Sequence, residues 1–146
     1  MVPRLSAPAI RKARLEDSAD LSRLIAQLGY DAAPAEVAER LAAMEAEGRA
    51  VFVAEADRRV VGCLSTSVMR VLHRPAPVGR ISMMVVEEDL RGQGIGAALV
   101  AAAECHLLKQ GCRIVEVTSN LARTRAHGFY ESLGYEKSSI RLAREL

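Results

Sequence analysis

The stretch from Ile81 to Glu104, ISMMVVEEDLRGQGIGAALVAAAE, constrains this chain more than any other. Met83, Met84, Val85 and Val86 form a short apolar run of the kind that makes a buried strand. An acidic turn follows, and then a glycine-rich arch, Arg91-Gly92-Gln93-Gly94-Ile95-Gly96. Beyond it Leu99, Ala102, Ala103 and Leu107 recur at helical spacing, which predicts a helix from Gly94 to Gln110. A strand that enters a helix through a glycine arch builds an anion site. The first amides of the helix lack intrahelical partners, the helix dipole favours negative charge there, and glycine leaves the backbone open to a phosphate. Two common phosphate loops are excluded. A Walker A loop ends in Gly-Lys-Ser/Thr, whereas Gly96 is followed by Ala97 and Ala98. A dinucleotide fingerprint is spaced G-x-G-x-x-G, whereas Gly92, Gly94 and Gly96 alternate.

The rest of the chain reads as a mixed α/β layer. A first strand is expected over Ile10–Leu15, followed by a helix capped by Asp17 with the apolar face Leu21, Leu24, Ile25 and Leu28, closed by Gly29. Pro34 opens a second helix with Val37, Leu41 and Met44 inward, and Gly48 ends it. Ala50–Ala56 and Val60–Val71 read as an antiparallel hairpin around a turn at Asp57-Arg58-Arg59. A loop with two prolines, His73 to Pro77, leads to the strand Gly79–Val86. Gly111 ends the arch helix. Arg113–Thr118 is then a strand reached by a helical crossover, and so parallel to the strand before the arch. Ala126, Phe129, Tyr130 and Leu133 predict one more helix, closed by Gly134, and Tyr135–Leu142 a last strand.

Composition narrows the function classes. The chain has 146 residues, half of them hydrophobic, which suits one domain, residues 1–146, with a real core. A net charge of +2 gives no support for a nucleic-acid or membrane-surface partner. Cys63, Cys105 and Cys112 are scattered and odd in number, which reads as free thiols in a reducing, cytoplasmic setting. No signal-peptide h-region and no membrane-spanning run is visible.

The arch, with Arg91, Gly94 and Gly96 in the order Q/R-x-x-G-x-G/A, resembles the acetyl-CoA signature of the GNAT (Gcn5-related) N-acetyltransferases. A second stretch, Phe129-Tyr130-Glu131-Ser132-Leu133-Gly134-Tyr135, matches the F-Y-x-x-x-G-Y ending of the same family. The element order β-α-α-β-β-β-α-β-α-β is similar to the GNAT fold along nearly the whole chain. The resemblance implies a mostly antiparallel sheet whose strands splay beside the arch to form a slot for acetyl-CoA, with no metal required. It implies that Arg91, Gly92, Gln93, Gly94, Ile95, Gly96 and Ala97 hold the pyrophosphate. Met84, Val85 and Val86 would pair with pantetheine, and Phe129 would line the slot. Tyr130 falls where the family places an acid for the departing thiolate; a helix-face core residue is the alternative. Asn120 reads equally as a pantetheine contact or as a helix cap. Many members carry Asn seven residues before the Tyr, and here that residue is Arg123, which could meet a CoA phosphate or the substrate; Arg125 reads as a solvated helix charge.

The general base stays open. Some members use a Glu early on the strand before the arch, and the corresponding residue is Arg80. Glu87, His73, His127 or a water relay to a distant carboxylate remain. The resemblance implies acetyl transfer to a primary amine of a small molecule, with a protein or peptide acetyltransferase and a non-catalytic acyl-CoA sensor as alternatives. The C-terminal half looks similar to aminoalkylphosphonate N-acetyltransferases, and aminoglycoside 6′-N-acetyltransferases are another neighbour. The family often dimerises, and a last strand bearing Ile140 and Leu142 leaves a homodimer open.

Overall fold

A computed structural model describes residues 7–146. Five strands form one sheet in sequence order: β1 (Ala9–Lys12), β2 (Val51–Ala56), β3 (Arg59–Met69), β4 (Val78–Val86) and β5 (Ile114–Val117). The first three pairings are antiparallel and β4–β5 is parallel, as the crossover requires. Four helices flank it: α1 (Ser18–Gln27), α2 (Pro34–Ala46), α3 (Ile95–Lys109) and α4 (Thr124–Ser132).

The β2–β3 hairpin closes on Asp57 and Arg58, both at positive φ, 52° and 64°. This two-residue turn matches the right-handed twist of the strands, so Arg59 joins β3 and pairs with Ala56. Two apolar layers cover the sheet. Leu21, Leu24, Val37 and Leu41 of α1 and α2 meet Val53, Cys63 and Val85 on one face. Ile95, Leu99, Val100 and Ala103 of α3 meet Phe52, Leu64 and Ile81 on the other, with Tyr130 of α4 beside them. The alternation along β3 and β4 sends successive residues to opposite layers, which is why both strands read as continuous apolar runs.

Three expectations change. The first strand stops at Lys12, and a 3-10 turn over Leu15–Asp17 takes its last residue. Asp17 does not cap α1 with its side chain. Its carboxylate receives two bonds from the Arg11 guanidinium, 2.8 and 2.9 Å, and one from the Arg14 amide at 2.7 Å. The segment Tyr135–Leu142 forms no strand, and the sheet ends at β5.

The Asp17 site makes a prediction. The Arg11 bond outweighs burial and holds the carboxyl below its ordinary pKa. A depressed carboxyl stabilises the fold above its unfolded pKa and loses that contribution as pH falls through the folded value. Asp17→Asn is therefore expected to cost about 2 kcal/mol at neutral pH. In urea titrations the gap to the parent chain should be flat from pH 8 to 5 and narrow below pH 4. A gap independent of pH down to 2 would contradict it.

Candidate active site

The site begins where two strands part. β4 and β5 pair from Val78–Ile114 to Ile81–Val117, and there the pairing stops. β4 runs on through residues 82–86, still paired to β3 but, among the described residues, with no partner strand on its other side. A bulge marks the place: Ser65 pairs with Met83 and Thr66 with Ile81, so Ser82 is the extra residue. Its hydroxyl lies 2.8 Å from that of Ser65. The splay that the resemblance implied is thus present, and Met84, Val85 and Val86 lie along its open edge. An edge with free amides and carbonyls accepts an extended amide chain as an added strand.

At the end of β4 the arch turns into α3. Gly92 and Gly94 sit at φ 83° and 84°, in the left-handed region that other residues enter at a cost. Arg91, Gly92, Gln93 and Gly94 are exposed. The first helical bond is from the Ala98 amide to the Gly94 carbonyl, 3.0 Å. The amides of Ile95, Gly96 and Ala97 precede it and are left to an outside acceptor, with no side chain capping them. Ile95 itself turns inward and is 2% exposed, which fixes the arch to the core.

The second motif closes on the first. A Cβ on Gly96 would stand 3.1 Å from Phe129 Cζ and 3.6 Å from Met84 Cε, so Phe129 lies against the first turn of α3. Tyr130 follows it edge-on, with ring centroids 5.2 Å apart, and Tyr135 stands on its other side at 5.7 Å. Burial pushes the Tyr130 phenol up to about 12. It therefore stays protonated across the physiological range.

Most of the other expected residues make hydrogen bonds within the chain. The Asn120 Oδ1 accepts the Ala122 amide at 2.9 Å in a local turn ahead of α4, whose N-cap is Arg123 with no side-chain cap. Arg123 donates to the Leu28 carbonyl at the end of α1, 3.0 Å away across 95 residues of sequence. Its guanidinium ties the α4 entrance to α1 rather than standing free. His127 Nε2 lies 2.9 Å from the Asn120 carbonyl, and this bond braces the same turn. His73 is exposed in the β3–β4 loop. Arg80, whose place a catalytic Glu would take, is paired with Glu116 across β4 and β5, with Nε 3.0 Å from Oε1.

Glu87 is held most firmly. Arg23 forms an ion pair with one oxygen, and Gln27 Nε2 donates to the other at 3.0 Å. Burial alone would raise its pKa, but these donors overcome it and keep the carboxyl below its ordinary value. Arg23 also bonds the Val60 carbonyl, Asp20 accepts the Val60 amide, and Gln27 Oε1 accepts the Glu88 amide. Asp20, Arg23 and Gln27 thus clamp α1 to the entrance of the arch. Their spacing on one side of a helix was visible in the sequence, but nothing local named Glu87 and Val60 as their partners.

A family model described as an acetyltransferase (GNAT) domain matches residues 47–137, which is more than half the chain. The chain belongs to the GNAT acetyltransferase family. It is 37% identical over 87 residues to an aminoalkylphosphonate N-acetyltransferase from Salmonella typhimurium, a match covering 60% of this chain and 56% of that relative. It is 30% identical over 141 residues to an aminoglycoside N(6′)-acetyltransferase type 1 from Stenotrophomonas maltophilia, covering 91% of this chain and 89% of the relative. Among solved structures, the aminoglycoside N-acetyltransferase AAC(6′)-Iy in complex with CoA superposes with a TM-score of 0.85 at 22% identity, over 99% of both chains. At that identity the likeness speaks for the fold. No helix among the described residues is long and apolar enough to cross a membrane.

Proposed function

We propose that this chain moves an acetyl group from acetyl-CoA to the primary amine of a small molecule. The observation that carries the reading is the open edge of β4 past Ile81, flanked by an uncapped helix N-terminus and a protonated, buried phenol. In this reading the amides of the arch and of Ile95, Gly96 and Ala97 hold the pyrophosphate, with Arg91 and Gln93 beside it. Pantetheine lies along Met84, Val85 and Val86, and a β4 amide there polarises the thioester carbonyl. The amine nitrogen attacks the carbonyl carbon, the C–N bond forms and the C–S bond breaks. Tyr130 supplies a hydrogen bond or a proton to the sulfur and recovers a proton from solvent. With Glu87 and His127 both engaged, the ammonium proton leaves through water rather than to either of them. No metal enters the scheme. Cys63 and Cys112 are buried and Cys105 exposed, all free, which fits a cytoplasmic setting.

The names of the relatives support small amines as acceptors, an aminoalkylphosphonate and an aminoglycoside among them. A thiol-release assay with acetyl-CoA over both classes, simple diamines and Lys-bearing peptides tests this. Turnover on at least one small amine and none on peptides is expected. Turnover on peptides alone would move the acceptor to proteins, and binding without turnover would leave a sensor. Failure of acetyl-CoA to raise the melting temperature would overturn the whole scheme, because a ligand that binds the folded state must stabilise it.

A further inference from the structure

On the face of the sheet that α1 and α2 cover, the apolar layer reaches β4 at Met83 and Val85 and does not extend to β5. Alternation sends Val115 and Val117 to the α3 layer, which leaves Ile114 and Glu116 on the uncovered side. Ile114 is exposed there, and the Glu116 side chain is 41% exposed. Arg80, the register partner of Glu116, shares this side, because Ile81 faces α3. Its guanidinium donates through Nε and Nη2, and both bonds end on one carboxylate oxygen, Oε1. Among the described residues, Oε2 of Glu116 accepts no hydrogen bond and Nη1 of Arg80 donates none. Ser82 stands one residue past the last β4–β5 pair. Its hydroxyl donates to the Ser65 carbonyl at 3.2 Å, so the 2.8 Å contact between the two hydroxyls has Ser65 as donor. The single proton of Ser82 is thereby used, and what remains on its oxygen can only accept. The fork thus offers an acceptor on Ser82, an acceptor on Glu116 and a donor on Arg80.

Resting on the acetyl transfer set out above, we propose that the acceptor is a short zwitterion, an amine carrying a phosphonate, sulfonate or carboxylate. Its ammonium is held by Glu116 Oε2 and Ser82 Oγ, and its acid group by Arg80. Arg80 and Ser82 are two residues apart on one strand, about 7 Å, which suits a spacer of about two to four carbons. Electrostatics selects the zwitterion. Arg80 and Glu116 cancel each other, so a bare cation meets an attraction and a repulsion of similar size. A zwitterion laid antiparallel to the pair is attracted at both ends, whereas a polycation brings nothing for Arg80. The surroundings fix the direction. Arg70 and Arg74 lie in the loop between β3 and β4, and Arg113 precedes β5, so the end where both strands begin is basic. The acid group therefore lies toward Arg80 and the ammonium toward Ser82, next to the β4 edge at Met84 to Val86 along which pantetheine lies. The transfer step is unchanged: the ammonium gives a proton to water, and the neutral amine attacks.

The test compares acceptors on the whole chain at saturating acetyl-CoA. With the best of 2-aminoethylphosphonate, taurine and β-alanine, kcat/KM is expected to exceed that with ethylamine or simple diamines by at least ~10-fold, which one charge-assisted hydrogen bond supplies. Arg80→Met should bring that ratio to within about twofold. Exchange of the pair, Arg80→Glu with Glu116→Arg, keeps an ion pair across β4 and β5 and should also lose the preference. A pair that only staples the two strands would keep it. Calorimetric titration of the preferred zwitterion into protein holding CoA reads the same site without turnover, and should show binding at least ~10-fold weaker in the exchanged pair, with circular dichroism as the control for folding. Equal kcat/KM for ethylamine and the zwitterions would overturn the proposal and leave acetyl transfer to small amines standing. So would a preference that survives the exchanged pair. No turnover on any amine, with or without an acid group, would remove the underlying reading and this proposal with it.

Discussion

Gly96→Glu is expected to abolish acetyl-CoA binding, by at least ~100-fold, or about 2.8 kcal/mol at 1.4 per decade. Two effects act together. A Cβ at this position meets Phe129 Cζ at 3.1 Å and Phe129 Cε1 at 3.4 Å, so even the first added carbon asks the ring to give by a few tenths of an ångström. The remaining atoms then carry a carboxylate into the mouth of the helix, where the cofactor phosphates would sit. Charge repulsion and steric block both act on the ligand. The helix itself gains from a negative group in its first turn, so the variant need not be less helical. Gly96→Ala separates the two effects. It keeps the neutral site and should lose no more than about tenfold in affinity, since the Phe129 ring is half-buried and able to shift. Calorimetric titration of both variants with CoA, with circular dichroism as the control for folding, decides it. Unchanged affinity in Gly96→Glu would remove the pyrophosphate from this helix.

Tyr130→Phe should lower kcat by ~100-fold, within the range of roughly 10²–10⁴ that general acids contribute, and leave the KM for acetyl-CoA within about twofold. The ring stays, and with it the edge-on contacts to Phe129 and Tyr135, so folding is preserved. What is lost is one hydroxyl. An acyl donor whose thiol is more acidic than that of CoA needs less help and should narrow the gap between variant and parent. A residue that only fills the core would show no such dependence. The pH profile adds a check. With the phenol pushed up to about 12 by burial, its protonated form persists, and the parent kcat should not fall from phenol ionisation between pH 7 and 10. The same shift contributes stability that is complete below about pH 10 and lost as pH rises through about 12, because the fold favours the neutral phenol. Tyr130→Phe lacks that alkaline loss. Equal kcat in the two proteins would sink the assignment of Tyr130 as the thiolate acid.

The parts of the site that were legible in the sequence are those whose geometry is local. Gly92 and Gly94 announce positive φ because few other residues tolerate it, and both adopt it. Leu99, Ala103 and Leu107 announce the inner face of α3 by spacing alone, and all three are buried. Phe129 and Tyr130 announce an inward helix face, and the structure adds that Phe129 closes on Gly96. Asn120, Arg123, His127 and Glu87 were ambiguous for a common reason. Each is a polar group whose role depends on which acceptor or donor arrives from a distant segment. Arg123 meets Leu28, and Glu87 meets Arg23 and Gln27, partners sixty or more residues away in each case. Side-chain spacing carries no information about such pairs.

The tail makes the same point for strands. Ile140 and Leu142 have the period of a strand, and that period predicts a last strand over Tyr135–Leu142 that does not form. A strand also needs a partner to receive its amides, and that is a property of the sheet rather than of the segment.

By itself, then, the sequence determined the order of strands and helices as far as α4, the glycine arch between β4 and α3, and the inward faces of α3 and α4. These follow from backbone sterics and hydrophobic period, which act over a few residues. Only the tertiary structure decided that β4 outruns β5 at Ile81, that Glu87 is captured as an anion, and that residues 138–142 find no place on their own sheet. Those outcomes depend on register and on long-range pairing, which no local run of residues encodes.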